Sequence, residues 1–338
     1  MKIALDVLGG DNAPMANIEG AINYLQDNNN ELILVGNKEV IESQLINAPN
    51  ISSRISIIHT NENVEMNARS SRIFKDQPNS SLVKSIKLVK DGIADAIVSA
   101  GNTGALLTTS LFLIGKIPGV KRPALAPLIP TKKSNFILCD AGANANSKPQ
   151  HLIQFALMAT AYMEHLEGRK EPKVALLNIG EEKNKGNDLT TSTYLLLEEH
   201  IKNFIGNIES RYLLENDADV IICDGFTGNI VLKLTEGVIA HLLNWIQDIY
   251  HTHTNDSNLS SEFLSILKEI QNSLDPEEYG ATPLLGINGI VMKCHGSSTA
   301  RGIKNSLIAA ETAVKENLII NISKSLKKHT VFSNDIMV

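Results

Sequence analysis

Five short stretches hold most of the residues that could do chemistry: Ser99-Ala100-Gly101-Asn102-Thr103-Gly104, Asp140-Ala141-Gly142-Ala143-Asn144, "NIGEEKNKG" from Asn178 to Gly186, "DGFTGN" from Asp224 to Asn229, and "HGSSTA" from His295 to Ala300. Each follows an apolar run of strand length, such as Ala96-Ile97-Val98 before the first. Glycine lets a backbone approach a ligand closely and adopt positive φ. Successive backbone N–H groups at a helix start form an anion-binding concavity, helped by the helix dipole. Gly101, Asn102, Thr103 and Gly104 therefore read as a cradle for a phosphate or an oxyanion, and Gly296, Ser297 and Ser298 as a second. One such turn alone is ordinary loop chemistry. Five at the same end of one sheet point to a ligand, because open α/β sheets bind beyond the carboxyl ends of their strands.

The other chemistries are poorly represented. "LGGDNAP" follows the first apolar run where a dinucleotide fold would carry GxGxxG, and neither GxxxxGK[ST] nor GxSxG occurs. His251-Thr252-His253 is the only close histidine pair and lies in a polar stretch, which reads as a solvated loop; no metal and no cofactor are expected. Cys139, Cys223 and Cys294 sit at strand ends and read as small core residues rather than nucleophiles. Three cysteines without CxxC spacing fit a reducing, cytoplasmic compartment. A net charge of -6 and 4% aromatic residues give no footprint for nucleic acid.

The positioning elements follow from periodicity. Lys2–Leu8, Leu32–Val35, Ile55–Ile58, Ala96–Val98, Phe136–Cys139, Val174–Ile179, Val220–Cys223 and Ile290–Lys293 read as strands. Helical patterns alternate with them: Ile18 to Leu25, Ser80–Val89, His151–Glu167, Thr191–Phe204 and Thr299 to about Lys315. The fold class is α/β: one large domain over 1–338 with a mainly parallel sheet covered on both faces. Lys116–Ser134 carries four prolines and reads as an extended connection. Residues 238–274 hold two helical apolar stripes around "HTHTNDSNLSS", an inserted helical hairpin, and 319–338 reads as a C-terminal tail.

Taken in order, "MKIALDVLGGDNAP", "SAGNTGALL", "DAGAN", "NIGEEKNKGND", "DGFTGNIVLKLTEG" and "EYGATPLLGINGIVMKCHGSSTARGIKNS" resemble the bacterial acyl-ACP:phosphate acyltransferases of phospholipid synthesis, the PlsX family. The resemblance runs from Met1 to about Glu316. It implies a Rossmann-like αβα sandwich, similar to phosphate acetyltransferases and isocitrate-type dehydrogenases. It also implies a homodimer and transfer of a fatty acyl group from acyl carrier protein to inorganic phosphate. The acyl phosphate would pass to a membrane glycerol-3-phosphate acyltransferase, so the expected location is cytoplasmic with peripheral contact to the inner membrane face. "DPEEYGATPLLG" departs from the family's usual "DYSEYGGAPLLG", with Pro276, Glu277 and Ala281-Thr282 at the differing positions.

The implied reaction suits these residues. Phosphate brings its own nucleophile and a thiolate leaves readily, with a pKa near ~8.5, so no catalytic Ser or Cys is needed. Lys185 matches the lysine of the family's Gly-Glu-Lys-Gly loop and is the first candidate for a cation on the phosphate. Asp224 and Asn229 are candidates for orienting phosphate or carbonyl; the alternative for the Asp is that it only fixes the turn. Asn102, Thr103, Asn144 and His295 are candidate donors; His295 either protonates the departing sulfur or caps its loop. Asp11 is read as setting the first loop. An acidic carrier protein needs a basic patch, for which Lys116, Lys121, Arg122, Lys132 and Lys133 are the candidates. The hairpin is open to three readings, as core, dimer contact or membrane contact; its polar face is poor in Lys and Arg, which favours a dimer arm. Coenzyme A thioesters in place of the carrier protein, and a non-catalytic scaffold, are the competing readings.

Overall fold

The computed structural model describes residues 1–46, 48–68, 72–132, 134–253 and 257–329. Its strands are β1 (Lys2–Asp6), β2 (Glu31–Gly36), β3 (Ile55–His59), β4 (Ala96–Ser99), β5 (Ala124–Leu125), β6 (Leu128–Pro130), β7 (Asn135–Cys139), β8 (Val174–Asn178), β9 (Phe204–Glu209), β10 (Val220–Ile222), β11 (Thr282–Leu285) and β12 (Ile290–Lys293). The helices are α1 (Met15–Asp27), α2 (Lys38–Leu45), α3 (Pro49–Ser52), α4 (Ile73–Asp76), α5 (Ser81–Lys90), α6 (Thr103–Leu113), α7 (Pro149–His165), α8 (Asp188–His200), α9 (Gly225–His253), α10 (Ser257–Ser273), α11 (Ala300–Lys315) and α12 (Leu318–Lys328).

The expected α/β alternation is present, but it builds two sheets instead of one. The first runs β3-β2-β1-β4-β12-β11-β5 and the second β6-β7-β10-β8-β9. β1 pairs in parallel with β2 and β4, and β12 in parallel with β4, while β11 is antiparallel to β12. β10 lies parallel to both β7 and β8, and β6 antiparallel to β7. The proline-rich stretch, expected as a bare connection, is where the chain changes sheet. β5 pairs with β11 in the first sheet, and β6 with β7 in the second. Between them Ala126 N–H donates to Pro283 O, whereas Pro127 has no N–H to extend that ladder. The central strands β4, β7 and β8 are buried along their whole length, as fully covered parallel strands must be.

Three further expectations are corrected. Phe204 opens strand β9 and does not end the preceding helix, which stops at His200. The hairpin's first helix starts at Gly225, thirteen residues before its apolar stripe, so it grows from the rim of the second sheet. Tyr250 stacks on Phe263 at 4.2 Å between ring centroids, joining α9 to α10, and Thr254–Asp256 lie outside the described residues. The segment read as a tail opens as helix α12, with Leu318 and Ile322 buried against the core. No described helix is long and apolar enough to cross a membrane.

Candidate active site

The first sheet reverses its order on either side of β1, and the crevice beyond β1 and β4 is the place where such sheets bind ligands. Asp6 ends β1 there, 1% exposed, and accepts the Ser81 hydroxyl at 2.5 Å and the Ser99 hydroxyl at 2.7 Å. Burial pushes its carboxyl above the ordinary aspartate range, and the two hydroxyls oppose that shift. The β1–α1 loop is latched to the β12–α11 turn: Asp11 N–H donates to Gly296 O at 2.7 Å, and Asn12 Nδ2 to Ser297 O at 2.9 Å. Gly10, at φ 102°, makes this approach possible, since a Cβ there would stand 2.9 Å from Ala100 Cβ and 3.0 Å from Gly296 O. The backbone of Asp11 thus ties the first loop to the β12–α11 turn.

The β4–α6 turn forms one wall. Asn102 caps α6, its Oδ1 accepting Ala105 N–H at 2.9 Å while its Nδ2 donates to Met66 O at 2.6 Å. Gly101 N–H donates to Ser99 Oγ at 3.0 Å. The N–H groups of Thr103 and Gly104, the first two residues of the helix, meet no acceptor among the described residues. These are the orphan donors that an α-helix leaves at its start. An apolar crevice adjoins them, lined by Thr103, Leu106, Leu107, Leu125, Ala143 and Leu284.

The β12–α11 turn is built differently. Ser297 N–H donates to His295 Nδ1, Ser298 N–H to His295 O, and Thr299 N–H to Glu277 Oε1 at 2.7 Å. Thr299 Oγ1 adds a bond to the other Glu277 oxygen at 2.6 Å. The sequence departure at Glu277 thus places a carboxylate on the start of α11. The donors of the second expected cradle are mostly spent within the protein.

Across the crevice, the second sheet presents the Asp140–Asn144 loop and α9. Asp140 is fully buried and accepts N–H groups from Leu125, Ala143 and Asn144. Asn144 Nδ2 donates to Pro123 O at 2.7 Å and to Asp140 Oδ2 at 2.9 Å, so its donors hold the loop together. Asp224 caps α9, accepting N–H from Phe226 and Thr227, each at 3.0 Å. Gly228 packs so tightly that a Cβ would lie 1.9 Å from Asp140 O. Asn229 lies over the same loop, with its Oδ1 3.4 Å from where a Gly142 Cβ would be. Lys233 and Glu236, four and seven residues further along α9, share its face. Glu236 is half-buried, which raises its carboxyl, while His295 and Lys233 nearby act in the opposite direction. His295 Nδ1 is 2.8 Å from Ser297 Oγ.

Lys185 stands on the rim beyond β8, its side chain half exposed and its Nζ 3.9 Å from Glu182 Oε1. Asn178 Nδ2 donates to Lys185 O at 3.0 Å and pins the loop. Lys116, Lys121 and Arg122 converge with Lys148 around His151, whose ring is lowered by burial and then by these cations. Lys132 lies at the opposite end of β7, and Lys133 is outside the described residues. Sequence reading missed Asp6, Ser81, Lys233, Glu236 and Lys293. Only their partners, brought from far along the chain, mark them out.

Residues 1–321 match the family described as fatty acid synthesis protein. The chain is 43% identical to a phosphate acyltransferase of Desulforamulus reducens over 97% of its own length and 98% of the relative's. It is 40% identical to one of Clostridioides difficile over 97% of both chains. Among solved structures it is similar to a phosphotransacetylase from Streptococcus pyogenes, with a TM-score of 0.61 at 17% identity over 97% of this chain and 94% of that one. A branched-chain phosphotransacylase from Enterococcus faecalis gives 0.61 at 14% identity, covering 93% and 99%. Those two likenesses concern the fold. With the nearly full-length match to its relatives, the chain belongs to the phosphate acyltransferase family, the PlsX-type fatty acid synthesis proteins.

Proposed function

We propose that this protein transfers a fatty acyl group from acyl carrier protein to inorganic phosphate, supplying acyl phosphate to phospholipid synthesis. A phosphate oxygen attacks the thioester carbonyl, the C–S bond breaks, and the carrier leaves as a thiolate that takes up a proton. The observation that carries this reading is the pair of unpaired N–H groups on Thr103 and Gly104 beside the apolar crevice. The donors suit a phosphate dianion, and the lining beside them is the apolar kind that an acyl group packs against. Holding both reactants in line is worth several kcal/mol.

In this reading Lys185 supplies the mobile cation for phosphate. Asp224 acts by capping α9, which holds Asn229 against the Asp140–Asn144 loop, and Asn229 orients the carbonyl or phosphate. His295 protonates the departing sulfur from the far wall. Gly101 and Asn102 shape the first cradle; Gly296, Ser297 and Ser298 hold His295 in place. The basic cluster of Lys116, Lys121, Arg122 and Lys148 docks the acidic carrier protein; Lys132 stands apart from it. The exposed row Phe226, Ile230, Leu234, Val238, Leu242, Trp245 and Ile249 on α9 forms the contact of a homodimer, close to the membrane enzyme that consumes the product.

The test incubates the protein with palmitoyl carrier protein, with and without inorganic phosphate, and traps acyl phosphate as the hydroxamate. Phosphate-dependent hydroxamate is the expected result. Its absence rejects the reading, and a faster reaction from palmitoyl coenzyme A would move the substrate class to coenzyme A thioesters.

A further inference from the structure

Lys293 is the last residue of β12, at the centre of the first sheet, where its Cα registers with Ser99 of β4. It is 7% exposed. Taking an ammonium out of water costs several kcal/mol even after relaxation. Its neighbours on the strand, Val291 and Met292, are apolar and buried, so packing alone would be served by methionine. A lysine buried at this cost beside a crevice is a candidate functional position.

The contacts of Lys293 join the two turns of the first sheet. Its Nζ donates to Ala100 O at 3.3 Å, inside the β4–α6 turn, and to Cys294 O, at the start of the β12–α11 turn. An ammonium has three donors, and the third meets no acceptor among the described residues. The Cys294–His295 peptide is trans, so its N–H points opposite to its carbonyl. Drawing Cys294 O down onto Lys293 aims the His295 N–H away from the ammonium, and no described residue accepts it. Burial lowers the pKa of the Lys293 ammonium, and the carboxylates of Asp6 and Asp11 lie near enough to oppose that shift.

We infer that Lys293 is a positioning residue for the phosphate, a buried cation beneath the two turns that fixes their carbonyls and puts positive charge under the unpaired donors of α6. The inference rests on the phosphate-transfer reading above. Lys293→Met removes both charge and donors, whereas Lys293→Gln keeps an amide donor for the two carbonyls and loses the charge.

The test measures hydroxamate formation by the full chain across a range of phosphate concentrations and, separately, of palmitoyl carrier protein. Both variants are expected to raise the KM for phosphate at least tenfold, with the KM for the thioester within twofold of the wild type. They should also lose the upward shift in melting temperature that phosphate gives the wild type by mass action. An unchanged phosphate KM in either folded variant overturns the inference while leaving the wild-type reading intact. Failure of both variants to fold marks a plain core strut and overturns it too. A wild type that needs no phosphate removes the underlying reading itself.

Discussion

Helices α6 and α11 start from glycine-bearing turns on neighbouring strands, β4 and β12, and differ in what occupies the turn before the helix. At α11 the Glu277 carboxylate and the His295 ring take the N–H groups of Thr299 and Ser297. The start of α9 is likewise filled by Asp224, and the Asp140–Asn144 loop by Asp140. A glycine-rich turn at a helix start is thus a place for an anion, and in most cases here the protein supplies that anion itself. At the β4–α6 turn no N–H donates to a carboxylate among the described residues, and that turn is the one expected to receive phosphate.

The largest effect should come from the mobile cation proposed to meet the phosphate. Lys185→Ala is expected to lower turnover at least a hundredfold, the scale of losing one well-aimed charge or donor, about 3 kcal/mol. Lys185 packs little and its charge partner Glu182 is solvent-facing, so the melting temperature should stay within a degree or two of the wild type. Near-normal turnover removes it from the mechanism. Next comes Thr103→Pro, which deletes an unpaired N–H at the first position of α6, where proline fits a helix. Asn102 already has φ -55° and ψ 120°, the extended conformation that a following proline requires. A phosphate KM raised tenfold or more in a folded protein is expected; an unchanged KM would show that the β4–α6 turn is not where phosphate sits.

Much of this architecture was legible because buried parallel strands read as apolar runs: β1, β4, β7 and β12 all appear within a few residues of their expected bounds. β9 was hidden because it is a partly exposed edge strand whose alternation resembles the end of a helix. The division into two sheets depends on which partners β5 and β6 choose, and five residues of strand carry no record of that. In the site, turn chemistry was readable from Gly and Asn. Which turns are already filled was not, because Glu277 reaches Thr299 across 22 positions and Ser99 reaches Asp6 across 93. Lys293 was passed over as the end of a strand, since its burial comes only from folding.

The filled turn offers a smaller test. Glu277→Ala frees Thr299 N–H and leaves Arg301 with Asp275 and Glu278. Losing a cap of this kind costs about 1–2 kcal/mol, or a few degrees in melting temperature. If α11 is structural, the phosphate KM stays within twofold. A marked fall in that KM would mean that the vacated turn has become a competing phosphate site, and the contrast between the two helices would rest on Glu277 alone.

The smallest effect concerns the thiols beneath both walls. Cys139, Cys223 and Cys294 are buried, and burial pushes each thiol up, Cys294 to about 11. Cys294 Sγ lies 3.1 Å from Ser306 Oγ and Cys223 Sγ donates to Asp140 O at 3.4 Å, so both serve the packing of the turns. Iodoacetamide at pH 8 should leave native protein unmodified and fully active, and modify all three residues in denaturant. The sign of the pH effect follows from the raised value: the unfolded chain loses these protons first. Stability should therefore be flat below about pH 8 and fall between the free thiol's range, near ~8.5, and about 11. Alkylation of the native protein with loss of turnover would instead place a reactive thiol in the crevice and make a covalent acyl-enzyme the mechanism to test.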